Sequence, residues 1–222
     1  MAREQKSNAD FVSILGSDAT FRLVVPEGTE GAEVREYETP DGVKGSKNEI
    51  VFKALSGKIT KVAFADTTFG RLLQVTINDE NGDLIISTPV GNNFATDLMK
   101  KLPSMDFSKV YRLAPYSIEK DGKTNRGISI IEGTKQDKEA PRVENFFYDK
   151  TAKKELHGFP APKGDIEKFT KNKWKAYFGE VEDFLIEYTE QNLINKQAEK
   201  TGIEAFEDID PEKEAEELMG KK

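Results

Sequence analysis

The sequence predicts a mainly β protein, and three observations carry that prediction. Between Glu49 and Ile131 apolar residues fall in short runs, several of them alternating with polar ones. Gly-, Asn- and Pro-containing turns separate the runs, and a single helical stretch interrupts them. The first run, Ile50 to Phe64, is long for one strand, and Gly57 in its middle lets the backbone bend or bulge. In the second, Gly70 to Asn78, Leu73, Val75 and Ile77 alternate with Gln74 and Thr76, the period of a half-buried strand. Asn81-Gly82 predicts a hairpin turn, and Leu84 to Thr88 is a third strand stopped by Pro89. Asn93 to Leu102 places Phe94, Leu98 and Leu102 on one helical face and ends at Pro103. Tyr111 to Glu119 and Arg126 to Ile131, joined by Asp121-Gly122, are strands four and five. This order is that of an OB-fold, a five-stranded Greek-key barrel with an inter-strand helix. Such barrels bind oligonucleotides or oligosaccharides on the face of strands two and three, between loops one–two and four–five.

The flanks read as additions to that barrel. Residues 1–10 are polar, and disorder is expected there. Phe11 to Leu15, Thr20 to Val25 and Glu33 to Glu38 are short strands extending the sheet, which gives a domain over 11–157. Gly- and Pro-rich 158–164 reads as a linker. In 165–198, Trp174, Tyr177, Phe178, Val181, Phe184, Leu185 and Tyr188 recur at spacings of three and four, the stripe of an amphipathic helix. That helix either packs on the barrel or offers a surface for oligomers and partners. Residues 199–222 form a Glu-rich acidic tail in which disorder or a solvated helix is expected.

A chain of 222 residues can bury one good core. Without cysteine there is no disulfide, thiolate metal site or cysteine nucleophile. The start lacks the apolar run of a signal peptide and no stretch approaches a membrane span, so a soluble cytoplasmic protein is expected. The net charge of −7 is unevenly distributed. Gly42 to Lys138 holds 15 Lys and Arg against 11 Asp and Glu, whereas Glu199 to Lys222 holds 4 against 9. A basic barrel precedes an acidic tail.

Catalysis is poorly supported. His157, the only histidine, sits beside the linker, and no Ser lies in a Gly-x-Ser-x-Gly elbow. Gly122-Lys123-Thr124 resembles the end of a phosphate-binding loop, but that motif requires Gly where Ser117 stands. Asp79, Asn81 and Asp83 open like a calcium loop, yet Leu84 occupies its glycine position and no Glu follows at its end. A non-enzymatic protein without cofactor or metal is expected.

Binding is better supplied. Loop one–two carries Phe64, Phe69 and Arg71, and loop four–five carries Lys120, Lys123 and Arg126. Strand one adds Lys53, Lys58 and Lys61, strand two Gln74, and strand four Tyr111, Arg112 and Tyr116. Single-stranded nucleic acid calls for this pairing of cations along phosphates with rings on which any base stacks, at about 1–3 kcal/mol each.

Leu55-Ser56-Gly57-Lys58-Ile59, Leu102 to Ser108, Leu113-Ala114-Pro115-Tyr116-Ser117 and Gly127-Ile128-Ser129-Ile130 resemble the pattern of phage-encoded single-stranded-DNA-binding proteins with an OB-fold. The resemblance spans roughly residues 35–135, and the acidic C-terminus also fits that class. It implies a protein that coats single-stranded DNA during phage replication or recombination, in the host cytoplasm, with the tail recruiting replication proteins. It also implies that Phe69 and Arg71 lie on the DNA face. The chain ends Met219-Gly220-Lys221-Lys222, without the terminal aromatic residue of some members. The alternative reading is a structural or adaptor protein that uses barrel and helix to bind other proteins.

Overall fold

A computed structural model describes residues 10–39, 41–135 and 140–196. The expectations for the acidic tail, and for the N-terminus before Asp10, lie outside the described residues. The chain is mainly β: one large sheet carries two helices. Its strands are β1 (Asp10–Leu15), β2 (Thr20–Val24), β3 (Glu33–Glu38), β4 (Lys44–Phe52), β5 (Leu55–Thr67), β6 (Gly70–Asp79), β7 (Gly82–Pro89), β8 (Val110–Lys120) and β9 (Lys123–Glu132). Helix α1 (Asn93–Lys101) lies between β7 and β8 in sequence. A two-stranded ribbon, β10 (Tyr148–Asp149) and β11 (Lys154–Glu155), precedes α2 (Lys171–Thr189), which continues into a π-helical turn, Glu190–Ile194. No helix among the described residues is long and apolar enough to cross a membrane.

The sequence-predicted five-stranded barrel is replaced by a nine-stranded open sheet, ordered β3-β4-β2-β1-β7-β6-β5-β8-β9. The outer edge of β7 is taken by β1, in parallel, from Asp10↔Leu84 to Ser13↔Ser87. Val12 of β1 and Phe21 of β2 are fully buried, so the N-terminal strands complete the core as well as the edge. β9 keeps its own outer edge, and α1 covers part of it. Asp97 Oδ2 accepts the Ile128 N–H at 2.7 Å, and Lys101 Nζ donates to the Ile128 carbonyl at 2.7 Å. The Val143 N–H reaches the Ile130 carbonyl at 2.9 Å. Side chains and a loop thus satisfy an edge that would otherwise template pairing with another chain.

The long run Ile50–Phe64 is two strands. The chain leaves β4 at Phe52, and Lys53 stands in the connection to β5 rather than in a strand. Gly57 marks where β5 passes from β8 (Leu55↔Leu113 to Lys58↔Val110) to β6 (from Lys58↔Asn78 onward). A Cβ there would meet the Asn78 carbonyl oxygen at 2.4 Å. The register shift itself falls between Ile59 and Lys61. Asp121 and Gly122 both have positive φ, as the tight β8–β9 turn requires.

Helix α1 starts at Asn92, whose side chain accepts the Ala95 N–H at 2.8 Å, and it buries Phe94, Ala95, Leu98 and Met99. The segment 158–164 is no free linker. Phe159 packs against Phe147 and Phe184, with ring centroids 5.5 and 5.6 Å apart. Phe147, fully buried, also meets Tyr188 at 4.9 Å. These rings mount the second half of α2, where Val181, Leu185 and Thr189 are buried. In the first half of α2 no residue is fully buried, and only Tyr177 packs, half-buried, against the core.

Candidate nucleic-acid interface

The face of β6 and β7, where an OB-fold would take its ligand, is closed. Residues Leu73 to Ile77 are buried on both faces of β6, as are Ile85 to Thr88 on β7. Gln74 is therefore an interior residue and not a base contact. Tyr111 is 4 % exposed, and its hydroxyl accepts the Asp106 N–H at 2.9 Å, so it too belongs to the core. The period of β8 explains the second correction: Tyr111, Leu113 and Pro115 point inward, leaving Arg112, Ala114, Tyr116 and Ile118 on the other face.

That outer face of β8, its partners on β9 and the segment 142–145 enclose a groove of about 810 Å³. The pairing of Ile131 with Arg142 brings the second wall alongside β9. Six basic side chains line the groove, namely Lys101, Arg112, Lys120, Arg126, Arg142 and Lys150, against the acidic Asp97 and Glu144. Both acids are engaged: Asp97 with Lys101 at 2.6 Å, and Glu144 with Lys150. Among the described residues Arg112, Lys120, Arg126 and Arg142 make no salt bridge. Arg126 donates to Ser117 Oγ at 3.4 Å.

Tyr116 forms part of the floor. It stands opposite Gly127, where an added Cβ would meet its hydroxyl at 2.6 Å and Asp97 Oδ2 at 2.5 Å. Burial, with the neighbouring Asp97 charge, pushes the Tyr116 phenol above its ordinary value; Arg142 opposes this. The ring stays neutral and half-buried beside the exposed Ile118. An aromatic face and an aliphatic side chain between guanidinium groups suit a flat base flanked by phosphates.

The remaining residues predicted for the site lie elsewhere. Phe69 is 49 % exposed at the β5–β6 turn, and Phe64 is half-buried beneath the Arg71 guanidinium, 4.5 Å from the ring centre. Arg71 pairs with Glu190 of the π-helical turn and, at 3.5 Å, with Asp66. These three residues sit near the C-terminal end of β5, whereas β8 pairs with its N-terminal end. The predicted site is thus split. Arg112, Tyr116, Lys120 and Arg126 come together in the groove, with Lys123 exposed at the hairpin tip. Lys53 is exposed and Lys61 half-buried outside it.

Sequence reasoning missed Lys101, Arg142 and Lys150. Lys101 had a local signal, its position four residues after Asp97 on one helix, but nothing in the sequence places either against β9. Comparison with protein-family models, with curated proteins and with solved structures finds no match to this chain.

Proposed function

We propose that this chain binds single-stranded nucleic acid, with little sequence preference, along the groove between β8, β9 and residues 142–145. The observation that carries the reading is the groove's charge: six cations to two acids, both acids already paired, around the Tyr116 ring. Phosphates would be met by Arg112, Lys120, Arg126 and Arg142, and a base would stack on Tyr116. The element order supports it. From β5 to β9 the chain follows the OB-fold sequence, with a helix between its third and fourth strands and β5 paired to both β6 and β8. In this reading β1 replaces the closing strand of the barrel. Coating single-stranded DNA during phage replication or recombination is the setting implied by the sequence resemblance.

The test is a fluorescence-anisotropy titration with labelled oligo-dT and with duplex of the same length. Oligo-dT should bind preferentially, with log K falling against log salt by about 0.7 per neutralised phosphate. Replacing Arg112 and Arg142 together by Ala should reduce that slope by about 1.4 and weaken binding. Absence of oligo-dT binding at low salt would overturn the reading.

A further inference from the structure

Cations and rings meet a second time on the first half of α2. From Thr170 to Gly179 the chain holds Lys171, Lys173 and Lys175 and no acidic residue, and these lysines make no salt bridge among the described residues. Between them run the rings of Phe169, Trp174 and Phe178. Phe169 and Trp174 lie 5.0 Å apart, and Trp174 stacks on Phe178 at 5.6 Å with 22° between their planes. Lys173 Nζ stands 5.0 Å from the Phe169 ring centre. Phe178 is 58 % exposed, and none of these three rings packs on the core cluster.

Trp174 and Phe178 share the helical face that buries Val181 and Leu185 one turn further on. The apolar ridge therefore continues beyond the part of the body that covers it. Helix stability does not account for the lysines. They fall in the first five residues of α2, where the helix dipole favours acids, and the first turn contains none. A protein partner would favour the rings but not the lysines, since interface cores are enriched in aromatics and depleted in lysine. Lysines interleaved with stacked rings suit a polyanion that carries flat bases.

We infer that the first half of α2 is a second contact site for single-stranded nucleic acid. Trp174 and Phe178 offer their faces to bases, and Lys171, Lys173 and Lys175 meet phosphates. The inference rests on the reading of the groove as a single-strand site, because it assigns the same class of ligand.

Trp174 is the only tryptophan of the chain, so its emission reports on this surface alone. The full chain is titrated with oligo-dT while tryptophan emission and anisotropy of the labelled strand are followed together. Quenching that saturates with binding is expected. It should persist, at higher oligo-dT concentration, when Arg112 and Arg142 are replaced by Ala. Replacing Lys171, Lys173 and Lys175 by Glu should abolish the quenching and weaken binding several-fold, with the circular dichroism spectrum unchanged. Binding by anisotropy without any change in Trp174 emission overturns the inference and leaves the groove reading standing. Absence of binding by both readouts overturns both. Emission that instead changes with protein concentration alone, as the mass doubles, assigns the surface to a second copy and overturns the inference.

Discussion

A methyl group at Gly127 would enter the space now shared by Asp97 Oδ2 and the Tyr116 hydroxyl. Asp97 cannot yield freely, because it holds the Ile128 N–H and Lys101. Gly127→Ala should therefore cost about 1–3 kcal/mol in urea unfolding and displace Tyr116 from the groove floor, weakening oligo-dT binding as well. Unchanged stability and binding would show that the close approach is not needed. A second residue-scale case is Glu49, 1 % exposed, which accepts from Arg35 at 2.6 and 2.8 Å and from Arg22 at 3.0 Å. Burial pushes its carboxyl pKa up, but the hydrogen bonds and charges of the two arginines outweigh that and hold it below the ordinary glutamate value. A depressed folded-state value means that the stabilisation is present above the unfolded range and is lost as pH falls through the folded one. Glu49→Gln should lower stability by about 3 kcal/mol at neutral pH. Between about pH 5 and pH 3 it should lose less further stability than the wild type. Parallel pH profiles from chemical denaturation would rule out this role.

At the scale of elements, α2 is fastened by its second half. The Phe147 ring, packed against Phe159, Phe184 and Tyr188, is the main anchor, and Phe147→Ala should destabilise the protein by about 3–5 kcal/mol in thermal or urea melts. The pairing of Arg71 with Glu190 ties the π-helical turn to the start of β6. Arg71→Ala should therefore raise hydrogen exchange over residues 185–194 and leave oligo-dT affinity almost unchanged. Arg112→Ala should instead weaken affinity about tenfold, the size of one charge-assisted hydrogen bond, with exchange in α2 unaltered. The reverse pattern would move the nucleic-acid path to the β5–β6 turn, where the sequence resemblance put it.

Over the whole molecule residues 42–138 are net basic, with 15 Lys and Arg against 11 Asp and Glu, whereas the stretch 199–222 is acidic, with 9 Asp and Glu against 4 Lys and Arg. Acidic chain linked to a cationic groove competes with nucleic acid for it. A chain ending at Ala198 should bind oligo-dT more tightly than the full chain at about 50 mM salt, and the two should converge near 300 mM as screening shortens the attraction. Equal affinities at both salts, measured by anisotropy, would show that residues 199–222 do not visit the groove.

The sequence by itself determined most of the strands, the position of α1 and the tight β8–β9 turn, because alternation, a single apolar helical face and turn residues are local properties; the break at Lys53 that divides the run Ile50–Phe64 was not among them. It also determined that residues 42–138 carry a net positive charge and 199–222 a net negative one. It could not determine which strand takes the free edge of β7. An expectation built on 49–131 closes the barrel with β9, but Val12 and Phe21 need burial and carry β1 to that edge instead. The face of β6 and β7 is buried in the folded chain, and Gln74 is interior. Tyr111 and Tyr116 illustrate the same limit within one strand. The alternation of β8 shows that they lie on opposite faces, but only the packing decides which face is wet. Arg142 reaches the groove through the Val143–Ile130 hydrogen bond, and Lys101 through its bond to Ile128. Each of these contacts joins segments that are distant along the chain, and tertiary structure alone sets them.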